Sequence, residues 1–288
     1  MRNTSKVTTL ESKFPLLAVE QGCIVSKDAD ITVAFRVELP ELFTVTSAEY
    51  EAMHAAWHKA VKVLPDFTIV HKQDWFVKER YAGRLSDGEL SFLARASERH
   101  FNERPFLDHA CYLFLTKTTR QRMARQSNFS SLCRGTILPK EVGNREEVAK
   151  FMEAVDQFER IINDDDRIRL TRMTEEELVG TKEKSGLLDR YFSLSDTGHA
   201  SLEDIRLGAD FVRVGDNRLC LHTLSDTDDL PAVVSTDSRY ERLSTDRSDC
   251  RLSFAAPVGL MLSCNHLFNQ YLFIEDSEEN LNRFEKQA

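Results

Sequence analysis

Two histidines in this chain stand at a spacing that could serve a catalytic zinc. His54 and His58 are four residues apart, so a helix would put both on one face. A zinc hydrolase built this way needs glutamate directly after the first histidine to activate water, and residue 55 is alanine. Structural zinc needs two more ligands, and none sits at useful spacing. The two therefore read as a surface or half-buried pair. Oxygen ligands for a divalent cation are available at Asp164-Asp165-Asp166 and at Asp226-Thr227-Asp228-Asp229. Neither run matches a calcium loop, and three adjacent acids after a helix read as a solvated stop. A metal-dependent phosphoesterase or nuclease using these aspartates is the enzymatic alternative.

A phosphate-binding loop is approached but not met. Gly180-Thr181-Lys182-Glu183-Lys184-Ser185-Gly186 has the composition in the wrong order, because the lysine must follow the second glycine. It reads as a polar linker. GxSxG and GxGxxG are both absent. His100 and His109 flank Arg104-Pro105 without a nucleophile nearby and read as structural. Trp75-Phe76 lies among Lys72, Asp74, Lys78 and Arg80, where paired aromatics could stack bases or anchor a partner. Core packing of one ring, with the other facing outward, is the preferred reading. The cysteines are Cys23, Cys111, Cys133, Cys220, Cys250 and Cys264, with no CxxC pair. They read as buried free thiols in a reducing cytoplasm.

The most basic stretch runs over residues 118–143. Lys117, Arg120, Arg122, Arg125, Arg134 and Lys140 face Glu141 alone. It reads as a long loop, and such loops inside a domain are usually functional. Arg120, Arg122, Arg125 and Arg134 would offer charge-assisted hydrogen bonds to a partner, and Phe129 an apolar anchor. Direct DNA binding through this loop is a third alternative.

Elements must position these groups. Residues 22–39 predict a hairpin. Ile31, Val33, Phe35, Val37 and Leu39 alternate with polar or small residues, which predicts one buried and one wet face. Thr46-Ser47-Ala48-Glu49 is a capping box, followed by a stripe of Tyr50, Met53, Trp57, Val61 and Leu64 that Pro65 ends. Residues 67–81 predict a strand or hairpin. Ser86-Asp87-Gly88-Glu89 starts a helix that Arg104-Pro105 stops, and 111–117 predict a strand. The order over the first 117 residues is ββαβαβ. Val148, Phe151, Val155, Phe158 and Ile162 mark the best helix. Residues 167–173 predict a strand, and Thr174-Glu175-Glu176-Glu177 caps a short helix. Residues 211–222 predict a hairpin and 226–249 a polar loop. Tyr271-Leu272-Phe273-Ile274 predicts a buried strand, and 277–288 a charged helix. The fold class expected is α+β: a mixed or mostly antiparallel sheet with helices on one face. Two subdomains are expected, 1–142 and 143–288.

The chain has 288 residues, 41% hydrophobic and 30% charged, which is a globular composition. Its formal net charge is −9, a poor general grip on phosphate backbones or anionic lipid. No run reaches the roughly 18 consecutive apolar residues of a spanning helix. Residues 1–13 are polar without an apolar core, which predicts no secretory signal.

Several strings are more specific. They include Thr8-Thr9-Leu10-Glu11-Ser12-Lys13-Phe14-Pro15-Leu16-Leu17, Asp30-Ile31-Thr32-Val33-Ala34-Phe35 and Leu42-Phe43-Thr44-Val45-Thr46-Ser47-Ala48-Glu49-Tyr50-Glu51. They continue with His71-Lys72-Gln73-Asp74-Trp75-Phe76, Glu98-Arg99-His100-Phe101-Asn102-Glu103-Arg104-Pro105 and Ser127-Asn128-Phe129-Ser130. The chain thereby resembles the N-terminal region of TraG, the VirB-type conjugation ATPase of Bacteroides-type conjugative transposons. The likeness covers most of the chain and is densest before residue 140. Such ATPases carry a C-terminal RecA-like motor, and this chain has no Walker motif. The resemblance implies a non-catalytic docking and assembly region of a type IV secretion ATPase, with no cofactor of its own. ATP and Mg are implied for the motor. The implied partners are inner-membrane components of the conjugation channel and the motor domain itself, with self-association and DNA contact left open. The implied location is cytoplasmic, peripheral to the inner membrane.

Overall fold

The computed structural model describes residues 14–28, 30–41, 45–81, 91–118, 145–193, 204–224, 228, 238–239, 241, 244–247, 251–252 and 262–287. Five antiparallel strands come first: β1 (Leu16–Glu20), β2 (Cys23–Ser26), β3 (Ile31–Glu38), β4 (Thr68–Arg80) and β5 (Pro105–Lys117). Helix α1 (Ser47–Val61) connects β3 to β4, and α2 (Phe92–Glu103) lies between β4 and β5. The later chain adds α3 (Arg145–Asn163), β6 (Arg169–Arg172), α4 (Glu175–Val179), α5 (Leu187–Ser193), β12 (His266–Ile274) and α6 (Ser277–Gln287). Seven strands form one sheet in the order β1-β2-β3-β5-β4-β12, with β6 also on β3. Every pairing in it is antiparallel. The fold class is α+β, as expected. Two small sheets stand apart: β7 (Ile205–Leu207), β8 (Val212–Val214) and β9 (Asn217–Leu219), and the pair β10 (Ser238–Arg239) and β11 (Arg251–Leu252).

Residues on both sides of position 142 build the large sheet and its core. β5 lies between β3 and β4, so α1 carries the chain across it. On that face Val33, Phe35, Val70, Leu113 and Leu115 meet Ala60 and Leu64 from α1 and its end. They also meet Phe151, Val155, Phe158 and Ile162 of α3. The stripe read from α3 is thus its buried face. Trp57 of α1 stands edge-on to Phe158, ring centroids 5.6 Å apart. The Thr46 box forms as expected, with Thr46 accepting from the Glu49 N–H and Glu49 accepting from the Thr46 N–H. Beyond α3, Asn163 accepts from the Leu170 N–H at 2.7 Å and donates to its carbonyl at 3.0 Å. That side chain extends β6 as a strand would. Arg172 then clamps β6 to Asp156 and Glu159 of α3.

The reading of β3 as wet on one face needs correction. Ala34 is fully buried, between Val33 and Phe35 which are also closed to solvent. The second face carries its own core of Ile24, Ala34, Trp75, Tyr112 and Phe114, covered by Met173, Leu178 of α4 and Leu187 of α5. Helices therefore cover both faces, the two long ones on one and two short ones on the other. Sequence reading also passed over β1. It joins β2 through Gln21-Gly22, whose φ angles of 53° and 72° are those a two-residue hairpin turn of matching twist requires. β5 is longer than its apolar core, starting at Pro105 directly after α2. The box proposed at residues 86–89 lies outside the described residues; α2 is capped by Ser91, which accepts from the Ala94 N–H.

Candidate functional site

The densest polar chemistry lies where β5, β4 and β12 run side by side. Alternation along β4 sends Lys72, Asp74 and Phe76 to one face and His71, Gln73 and Trp75 to the other. The register sets Asp74 opposite Cys111 and Phe268, and Phe76 opposite His109 and His266. His71 stands opposite Phe114 and Tyr271. Each face thus carries a row of three rings across three strands. Phe76 stacks between His109 and His266, with centroids 4.7 Å and 4.5 Å away. His71 stacks between Phe114 at 5.2 Å and Tyr271 at 4.2 Å.

On the first face Asp74 is buried, with only 6% of its side chain exposed. Its carboxylate accepts from Nε2 of His109 at 2.9 Å and pairs with Lys72. Burial alone would raise its pKa. The bonds from His109 and the charge of Lys72 outweigh burial, so the carboxyl is held below the ordinary range. Cys111 adjoins this pair, and burial pushes its thiol up to about 12. A thiol nucleophile is activated by an adjacent base or by a lowered pKa. Here Nε2 of His109 is turned to Asp74, and the thiol stays neutral. The cluster orients side chains and closes a buried charge.

On the second face a chain of hydrogen bonds fixes an amide pair. The Trp75 indole N–H donates to Oε1 of Gln73 at 2.7 Å, and the Tyr191 hydroxyl of α5 donates to the same oxygen. Nε2 of Gln73 donates to Oδ1 of Asn269 at 2.6 Å, and Nε2 of His71 donates to that oxygen at 2.8 Å. Every amide orientation in the network is dictated by its neighbours. Burial lowers the His71 pKa against the opposing bond from Asn269, and burial raises that of Tyr191. Both groups are thereby biased to their neutral forms.

β12 itself departs from expectation. Tyr271, Leu272 and Phe273 are 56%, 44% and 55% exposed, because β12 closes the sheet as an edge strand. An apolar run has the same appearance whether it is buried or left for a partner. Exposed apolar residues also mark α2 (Phe92, Leu93 and Phe101) and α6 (Leu281 and Phe284).

The other sequence candidates fall apart from this region. Arg120, Arg122, Arg125, Phe129 and Arg134 lie outside the described residues, as does the whole segment 119–144. His54 and His58 are exposed on α1. Asp165 accepts from Arg167, which also lies 3.9 Å from Glu49 of α1. Asp226 and Asp229 lie outside the described residues. Among the described residues no three histidine, cysteine or acidic side chains converge as metal ligands. Trp75 and Phe76 are both buried, so neither ring faces outward. Cys111 is buried as expected, Cys23 is half-buried, and Cys220 and Cys264 are exposed, against expectation. Gly180 and Gly186 are no phosphate loop. Their backbones touch, and a Cβ on Gly186 would lie 2.3 Å from the Gly180 nitrogen. The Asp74–His109 pair was missed because its members are far apart in sequence. Its only signal was the density of polar and aromatic residues around Trp75.

Among the described residues no helix is long and apolar enough to cross a membrane. No curated protein matches the chain. Residues 3–55, which include β1, β2, β3 and the start of α1, match the model of a family described as "Domain of unknown function, B. Theta Gene description (DUF3875)".

Proposed function

We propose that this chain is the N-terminal docking and assembly region of a conjugative-transposon type IV secretion ATPase. The observation that carries the reading is the set of TraG-like strings. The first three of them fall within residues 3–55, the span matched by the DUF3875 model. The role is positional. The region holds the motor at the cytoplasmic mouth of the inner-membrane channel, peripheral to the membrane, and passes nucleotide-driven movement to it. ATP and Mg belong to the motor. A rigid two-faced sheet with exposed apolar residues on β12, α2 and α6 supports such a role. The segment 118–143, with Arg120, Arg122, Arg125, Phe129 and Arg134, is the proposed contact with the channel.

Crosslinking in membranes of cells carrying the conjugation apparatus tests this reading. With the chain as bait, crosslinks to inner-membrane channel components are expected, concentrated on residues 118–143. Capture of DNA without channel protein would overturn it.

A further inference from the structure

We propose that β12 is a self-pairing edge: two copies of this chain join antiparallel, β12 against β12, around Gln270. The surface is an open sheet edge. β12 runs nine residues in unbroken register with β4. Among the described residues no strand lies on its other side. Every second residue of such a strand turns its backbone N–H and C=O outward, where a further strand can bind them. Proteins usually guard such edges with lysine, proline, a bulge or an inward charge. His266-Leu267-Phe268-Asn269-Gln270-Tyr271-Leu272-Phe273-Ile274 has none of these.

The sequence of the strand selects its own copy as occupant. A two-fold axis at Gln270 sets Phe268 opposite Leu272 on one face and Leu267 opposite Phe273 on the other, each twice. Asn269 then meets Tyr271, and Gln270 meets itself. Cross-strand apolar pairs of this kind stabilise a sheet, and no like charges meet. Glu275 and Asp276 follow the strand, and in this arrangement they fall opposite Asn265 and Cys264. A parallel pairing would set each acid against its own copy. Moving the axis one residue to Tyr271 would put Phe273 opposite Asn269 and Glu275 opposite Leu267. Antiparallel pairing about Gln270 therefore satisfies apolar matching and charge together. The remaining surface is acidic, with a net charge of −9 per chain, so added salt screens repulsion and tightens the dimer.

Light scattering on the purified 288-residue chain tests this. The expected result is a concentration-dependent species of twice the 33.0 kDa chain mass. Gln270 is exposed, so substitutions there leave the fold intact, which circular dichroism checks. Gln270→Lys and Gln270→Glu each place like charges on the axis and weaken the dimer by about tenfold or more. An equal mixture of the two restores a heterodimer. A chain that stays monomeric to about 100 µM, a concentration where any Kd below that value would show, overturns the proposal. So does a dimer that both variants leave unchanged. The measurement needs no channel protein, so its outcome is separate from the docking role.

Discussion

Val33 of β3 and Phe158 of α3 are buried in one apolar cluster. Three strands along the same sheet, Asn269 is exposed and is held by hydrogen bonds from His71 and Gln73. The middle of the sheet is therefore stabilised by removing apolar area from water, which has no directional demand. The β12 end is fastened by stacked rings and amide hydrogen bonds, which fix register and orientation but contribute less each. One region specifies that the chain folds. The other specifies how its last strand is presented.

The comparison can be broken at several points. The largest effect is expected at the middle. Phe158→Ala leaves a cavity beneath Val33, Phe35 and Leu115 and costs about 3–5 kcal/mol. Urea denaturation measures it, and a loss below about 1 kcal/mol would mean that α3 is not part of the main core. At the edge, Gln73→Leu keeps the volume but strands the Trp75 N–H and Tyr191 O–H. A loss of about 1–3 kcal/mol is expected. Hydrogen exchange should report faster opening of β12 while β3 stays protected; equal loss in both would erase the distinction between the regions.

Smaller effects sharpen it. Thr46→Ala removes the cap of α1 and should cost about 1 kcal/mol in the same denaturation assay, without altering β12 exchange. The smallest effect is a pH dependence confined to the edge. Burial holds the His71 pKa below its ordinary value of 6.5, so the unfolded chain binds the proton more readily. The contribution is present above about pH 6.5 and is lost as pH falls from there through the folded value. His71→Phe should flatten that part of the stability profile. An unchanged slope would locate the titration elsewhere. Asp74 acts in the same direction at lower pH: its depressed carboxyl contributes above its unfolded value, and the contribution is lost on acidification through the folded one.

Local signals in the sequence were legible where a residue acts on its near neighbours. The α3 stripe, the boxes at Thr46 and Thr174, the β2–β3 hairpin and the end of α2 at Arg104 all form. Periodicity failed where coverage comes from far away. Ala34 looked like part of a wet face, but α4 and α5 arrive from beyond residue 170 to cover that side. Tyr271, Leu272 and Phe273 looked buried for the opposite reason, since nothing in a short apolar run states whether a neighbour exists. The Asp74–His109 pair needs the β4–β5 register before its members meet. The docking residues proposed from charge lie outside the described residues, and the β12 edge emerges only from the sheet order.

The order of synthesis gives the β4–β12 pairing a temporal meaning. His71 and Asn269 bond across 198 residues of chain. At about 5–20 residues per second, β4 leaves the ribosome on the order of 10–40 s before its outer partner. Once β5 has followed it and paired with both β3 and β4, β4 is itself the uncovered edge of a nascent sheet. Strands left open in this way are targets for chaperone capture and for pairing with a neighbouring nascent chain. Along β4 the three cations Lys72, Lys78 and Arg80 outnumber Asp74 and Glu79 by one, which leaves a small positive excess on that temporary edge.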